Sequence, residues 1–133
     1  MEVALREHIR QRARFRCEYC LLPEAATPFT PFHVEHIIAK QHLIDDSIDN
    51  LALACDRCNA FKGPNLSSVD PVTLEIVNLF SPRRDVWDNH YLFQGSVVIG
   101  TTTKGRATVQ LLQMNAARRL ELRESWLASG GQF

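Results

Sequence analysis

Two features of this sequence could do chemistry: four cysteines and one short polar run. The cysteines fall in two pairs, Cys17–Cys20 in CEYC and Cys55–Cys58 in CDRC. Two residues separate the thiols of each pair, so one tight turn aims both at one ion, and two such turns complete a tetrahedral site. Structural Zn²⁺ is the expected occupant. Disulfides fit poorly with a reducing cytoplasm, and buried free thiols leave the paired spacing unexplained. A site of four thiolates has no open position, so this zinc braces structure and does no chemistry. The 34 residues between the pairs (21–54) exceed the usual zinc-ribbon spacing, so something is inserted between the knuckles. The insertion contains FHVEHIIAK (32–40), which sets His33, Glu35 and His36 within four positions. An imidazole, with a pKa of about 6.5, can take a proton near neutral pH.

Local elements must position these groups. Residues from about Val3 to Arg14 read as a helix, with Val3, Leu5, Ile9 and Ala13 as its apolar contribution. LLPEAATPFTP holds three prolines and reads as loop. Phe32 to His36 reads as a strand, KQHLIDDSIDN as a polar connection and LALAC as a second, short apolar strand. DRCNAFKGP reads as a helix that starts near Asp56 and stops at Gly63–Pro64. The second half is less defined. DPVTLEIVNLF suits a short helix or strand, SPRRDVWDNHYLF is irregular, and YLFQGSVVIG suits a small hairpin. GRATVQLLQM and NAARRLELRESWLAS read as helices, with Asn115 as N-cap of the second. There is no repeat or low-complexity segment.

A chain of 133 residues suggests one domain, 1–133, and 45% hydrophobic residues supply a real but modest core. It divides into a basic N-terminal helix (1–16), the knuckles and inserted strands (17–63) and a C-terminal extension (64–133). Basic and acidic residues number 15 each, so total charge gives no support to nucleic-acid binding. A local cluster exists: Arg6, Arg10, Arg12, Arg14 and Arg16 face only Glu2 and Glu7 in the first sixteen residues. Arg6, Arg10 and Arg14 would form one helical stripe, read either as a solvated face or as a phosphate contact. No apolar run is long enough to span a membrane and the N-terminus lacks the apolar core of a signal peptide, so a cytoplasmic protein is expected.

Taken in order, HVEHII, DNLALAC and CNAFKG resemble the HNH endonucleases, whose site is a ββα-metal fold. The core resemblance covers about Cys17 to Gly63, and the tail IGTTTKGRATVQLLQMNAARRLELR is similar, more softly, to the region following the motif in a bacterial branch of that family. The resemblance implies an α+β fold: a two-stranded hairpin plus helix, braced by a four-cysteine zinc site, with flanking helices. It implies a metal-dependent endonuclease that hydrolyses DNA. Glu35 matches the acidic position that binds the catalytic metal, His36 the general base, and Asn50 the middle residue that fixes the long loop and orients the base. Asn59 matches the final metal ligand, so the motif is formally H-N-N. Glu stands at 35 where Asp is more frequent, and Asn at 59 where His is. An uncharged amide oxygen suits a hard ion, Mg²⁺ or Mn²⁺, better than Zn²⁺.

The remaining candidates have two readings each. His33 shares strand parity with Glu35, so it touches phosphate or metal, or is an exposed strand residue. Lys62, one turn beyond Asn59, is a phosphate contact or an exposed helix-end lysine. Asn50 is a site residue or a turn residue after Asp49. His8, His42 and His90 are ordinary, and Trp87 and Trp126 are core. The rival to an enzyme is a non-catalytic zinc-stabilised module that binds nucleic acid. A protein-interaction zinc domain is favoured only by the zero net charge.

Overall fold

The computed structural model describes residues 1–133. In chain order the elements are α1 (Val3–Arg12), β1 (His33–His36), β2 (Leu51–Ala54), α2 (Asp56–Lys62), β3 (Ser67–Val69), β4 (Ile76–Asn78), β5 (Tyr91–Gln94), β6 (Val97–Gly100), α3 (Thr103–Leu111) and α4 (Ala117–Ala128). The six strands make three separate antiparallel hairpins, β1–β2, β3–β4 and β5–β6. This is a small α+β domain with a ββα unit, β1–β2–α2, at its centre.

Strand β2 organises that unit. All four of its residues are buried. It pairs with β1 so that Glu35 lies opposite Ala52 and His36 opposite Leu51. Glu18, inside the first knuckle, grips β2 twice: its N–H donates to the Leu53 carbonyl at 2.9 Å, and its carboxylate accepts from the Leu53 N–H at 2.8 Å. Cys55 directly follows β2 and caps α2, its sulfur accepting from the Cys58 N–H. One buried strand therefore sets the position of both cysteine pairs. Helix α2 stops where expected, because Gly63 turns the chain with a φ of 48°, which costs glycine little.

Helix α1 is shorter than its periodicity suggests. It ends at Arg12, and Arg14 and Phe15 take φ of 55° and 57° in a left-handed turn. Arg14 therefore lies off the helix, which corrects the expected three-arginine stripe. Ile9 is fully buried, Leu5 and Ala13 pack against the core, and Val3 is exposed. Arg12 is structural, donating to the carbonyls of Ile48 and Leu51 at 2.9 and 2.6 Å.

In the second half, YLFQGSVVIG forms the β5–β6 hairpin, and part of DPVTLEIVNLF is the strand β4. Helix α3 lies close on β6 because Gly100 and Gly105 have no Cβ: one added at Gly100 would collide with the backbone of α3 at Arg106, and one added at Gly105 with the carbonyl of His90, just before β5. Asn115 does not cap α4. Its amide instead brackets Val98, accepting from its N–H at 2.9 Å and donating to its carbonyl at 2.8 Å. Trp87 packs on Tyr91 and Phe93 and donates to the Tyr19 carbonyl, whereas Trp126 is half-buried outside the core cluster and donates to the Gln132 carbonyl. No helix is long and apolar enough to cross a membrane.

Candidate active site and metal centre

The four cysteines converge. All are buried, none is paired in a disulfide, and their sulfurs lie within 4.8 Å of one another. The Cys20 and Cys55 sulfurs are 3.8 Å apart. Zn–S bonds of about 2.3 Å at tetrahedral angles place sulfurs ~3.8 Å apart, so this donor set fits zinc. Four thiolates around Zn²⁺ leave two negative charges in a dry interior, and the chain meets them with an arginine. Arg119, on α4, donates from Nη2 to Cys58 Sγ at 2.9 Å and to Cys55 Sγ at 3.5 Å. Burial alone would disfavour its charge, but the cysteine sulfurs hold it firmly protonated. Nothing local marks Arg119 in the sequence, because its partner is 61 residues away.

The first knuckle also reaches the polar residues of β1. Tyr19, between Cys17 and Cys20, is fully buried, and its hydroxyl donates to Glu35 Oε1. Lys62 donates to Glu35 Oε2 at 3.1 Å and to the carbonyls of His36 and Ile37 at 3.3 and 2.9 Å. The side chains of Lys62 and Glu35 are only 2% and 6% exposed. Lys62 is thus not an exposed helix-end cation, and the expected phosphate contact is corrected. A flexible four-carbon stem lets it run back under α2 and bring its charge to the buried carboxylate. Burial raises the Glu35 pKa, and Lys62 and Tyr19 oppose that shift. Tyr19 was missed in the sequence, although a phenol between two buried ligands needs a partner.

Lys62→Met should therefore leave a buried carboxylate without its cation. The expected loss is about 3 kcal/mol of unfolding free energy in a denaturant titration. Adding Glu35→Gln should recover most of it, because the charge that needed Lys62 is then gone. Full stability in the single variant would mean that the pair contributes nothing to the fold.

Adjacent strand residues point to opposite faces. His33 and Glu35 face α2, where His33 Nε2 lies 3.3 Å from Asp56 Oδ1. Asn59 sits on the same stripe of α2, midway between Asp56 and Lys62, and its side chain makes no hydrogen bond within the protein. His36 faces the long loop, with Nε2 2.7 Å from Asp46 Oδ1 and its side chain 23% exposed. Hydrogen bonding to His36 holds the Asp46 carboxyl below its ordinary pKa. Asn50 is buried and grips the loop backbone: it accepts from Ile38 N–H at 2.9 Å and donates to the carbonyls of Ile38 and Asp45 at 3.0 and 2.8 Å. Its amide touches the loop and not the His36 ring, which Asp46 holds instead. Lys62 binds the Glu35 carboxylate and also the main-chain carbonyl of His36.

The N-terminal arginines divide. Arg10 makes a two-pronged pair with Glu24, at 2.6 and 3.1 Å, and Arg6 and Arg14 are exposed without a side-chain partner.

A ββα unit clasped by two cysteine knuckles, with an acid–His pair on its first strand, defines a zinc-braced member of the ββα-metal class. Residues 17–64, about a third of the chain, match the family model described as HNH endonuclease. No curated protein and no solved structure matches the chain.

Proposed function

We propose that this protein is a metal-dependent endonuclease that hydrolyses phosphodiester bonds in DNA, with His36 as general base. The observation that carries this reading is the position of His36: a partly exposed imidazole on the first strand of the matched unit, fixed by a carboxylate and one residue from Glu35. Neutral His36 takes a proton from the attacking water. Glu35 and Asn59 would hold the catalytic Mg²⁺ or Mn²⁺. The donor chemistry fits, since a carboxylate oxygen and an amide oxygen are hard ligands. Each Glu35 oxygen takes one hydrogen bond and keeps a lone pair, and Asn59 has its amide free. Bound there, the ion would neutralise charge on the scissile phosphate and the departing oxygen. Tyr19 and Lys62 would then orient the ligand carboxylate from behind, as hydrogen-bonding partners of ligating carboxylates do. By family likeness the products would carry 5′-phosphate and 3′-hydroxyl ends.

The deciding experiment incubates purified protein with supercoiled plasmid, with and without Mg²⁺ or Mn²⁺. Metal-dependent nicking or cutting is the expected result. The rival, a non-catalytic nucleic-acid-binding zinc module, has one observation in its favour: Lys62 already neutralises Glu35. DNA binding with no cleavage under either metal would establish it.

Arg6 and Arg14 are the N-terminal cations available to a phosphate backbone. Replacing both with alanine should weaken DNA binding on all sequences and flatten its salt dependence by about one unit per lost contact. Arg10→Ala should change the slope less, because Glu24 already holds that side chain. An unchanged slope in the double variant would return the cluster to a solvated surface.

A further inference from the structure

The loop between β1 and β2 contributes a residue that the motif does not assign. We propose that Asp46 is the positioning residue for His36: it holds the proton on Nε2 and leaves Nδ1 as the basic atom. This rests on the endonuclease reading and deepens it.

A carboxylate is an acceptor only, so the 2.7 Å bond from His36 to Asp46 requires the ring to donate through Nε2. The neutral ring then carries its lone pair on Nδ1. A base must present one defined nitrogen to water, and a ring free to exchange tautomers does so only part of the time. The same carboxylate fixes the ring's rotation.

An exposed aspartate would do this poorly on a mobile loop, and here its backbone is pinned on both sides. The carbonyl of Asp45 accepts from buried Asn50 at 2.8 Å, and the N–H of Ser47 donates to Asp45 Oδ1 at 2.9 Å. Asn50 also closes the base of the loop, since Ile37 N–H donates to its carbonyl at 2.8 Å. The middle Asn of the motif therefore acts on the histidine at one remove, by fixing the segment that carries Asp46. The one cation near Asp46 besides His36 is Lys40, at 3.6 Å and well exposed, so it does not displace the histidine.

The test uses full-length, zinc-loaded protein. ¹⁵N NMR of labelled histidines reads the His36 tautomer in the neutral ring, and single-turnover nicking of supercoiled plasmid reads the consequence. Wild type should show the Nε2–H form. Asp46→Ala should lose that bias and slow nicking by about tenfold or more. Asp46→Asn, whose amide oxygen still accepts, should keep the tautomer, and Asp46→Glu should restore part of the rate. Zinc content and melting temperature confirm that the variants are folded. A tautomer unchanged in Asp46→Ala, or a nicking rate within about twofold of wild type, overturns the proposal. A wild type that does not nick, and matches His36→Ala in that, sinks the endonuclease reading instead; the tautomer measurement still reads the Asp46–His36 pair independently.

Discussion

His36→Ala should abolish cleavage while leaving the fold and DNA binding largely intact. The expected fall is about 10² to 10⁴-fold, the usual contribution of a positioned base. The ring is partly exposed and its one side-chain partner is Asp46, so its loss opens no cavity in the core. Melting temperature and zinc content should stay close to wild type. The measurement is plasmid nicking at saturating metal beside a DNA-binding titration. Near-normal cleavage would assign the base elsewhere. His33 would come next, but it lies on the α2 side of β1 beside Asp56, away from the Asp46 loop.

Loss of zinc should do more than loss of the base. The protein should contain about one Zn²⁺ per chain, and Cys58→Ser or a strong chelator should unfold it. A structural zinc contributes on the order of 10 kcal/mol, whereas a domain of this size is stable by ~5–15 kcal/mol. The first figure consumes most or all of the second. The knuckles also clasp β2 through Glu18, hold Glu35 through Tyr19 and anchor α4 through Arg119. Circular dichroism during chelation, with released zinc quantified, reads the outcome directly. A chelated protein that melts like the holo form would overturn this account of the fold.

The sequence made the central unit legible and its supports much less so. Strand β1 showed through β-forming residues around HVEH, β2 through the apolar run LALAC, and the end of α2 through Gly63. The C-x2-C pairs showed because metal ligation imposes a local spacing. Tyr19, Lys62, Asp46 and Arg119 did not show their roles, because each acts on a partner far along the chain or across an element. Lys62 looked like any lysine near a helix end until its partner, 27 residues back, was known. Helix α1 stopped early for a related reason: Arg14 and Phe15 have ordinary helix propensity, and the turn that lifts the chain into the first knuckle overrides it. Asn115 was a good cap by type, yet pairing with Val98 took precedence.

Arg119 also bears on where the folding unit ends. The family match closes at residue 64, but the two thiolates of the second knuckle take hydrogen bonds from a side chain 55 residues beyond that point. The span that can be aligned and the span that can stand alone are therefore different lengths. Cut out at its aligned boundaries, the motif would lose the guanidinium that offsets its sulfur charge. A graft of this nuclease-like unit onto another scaffold would have to carry α4 with it, or supply an equivalent cation from the host.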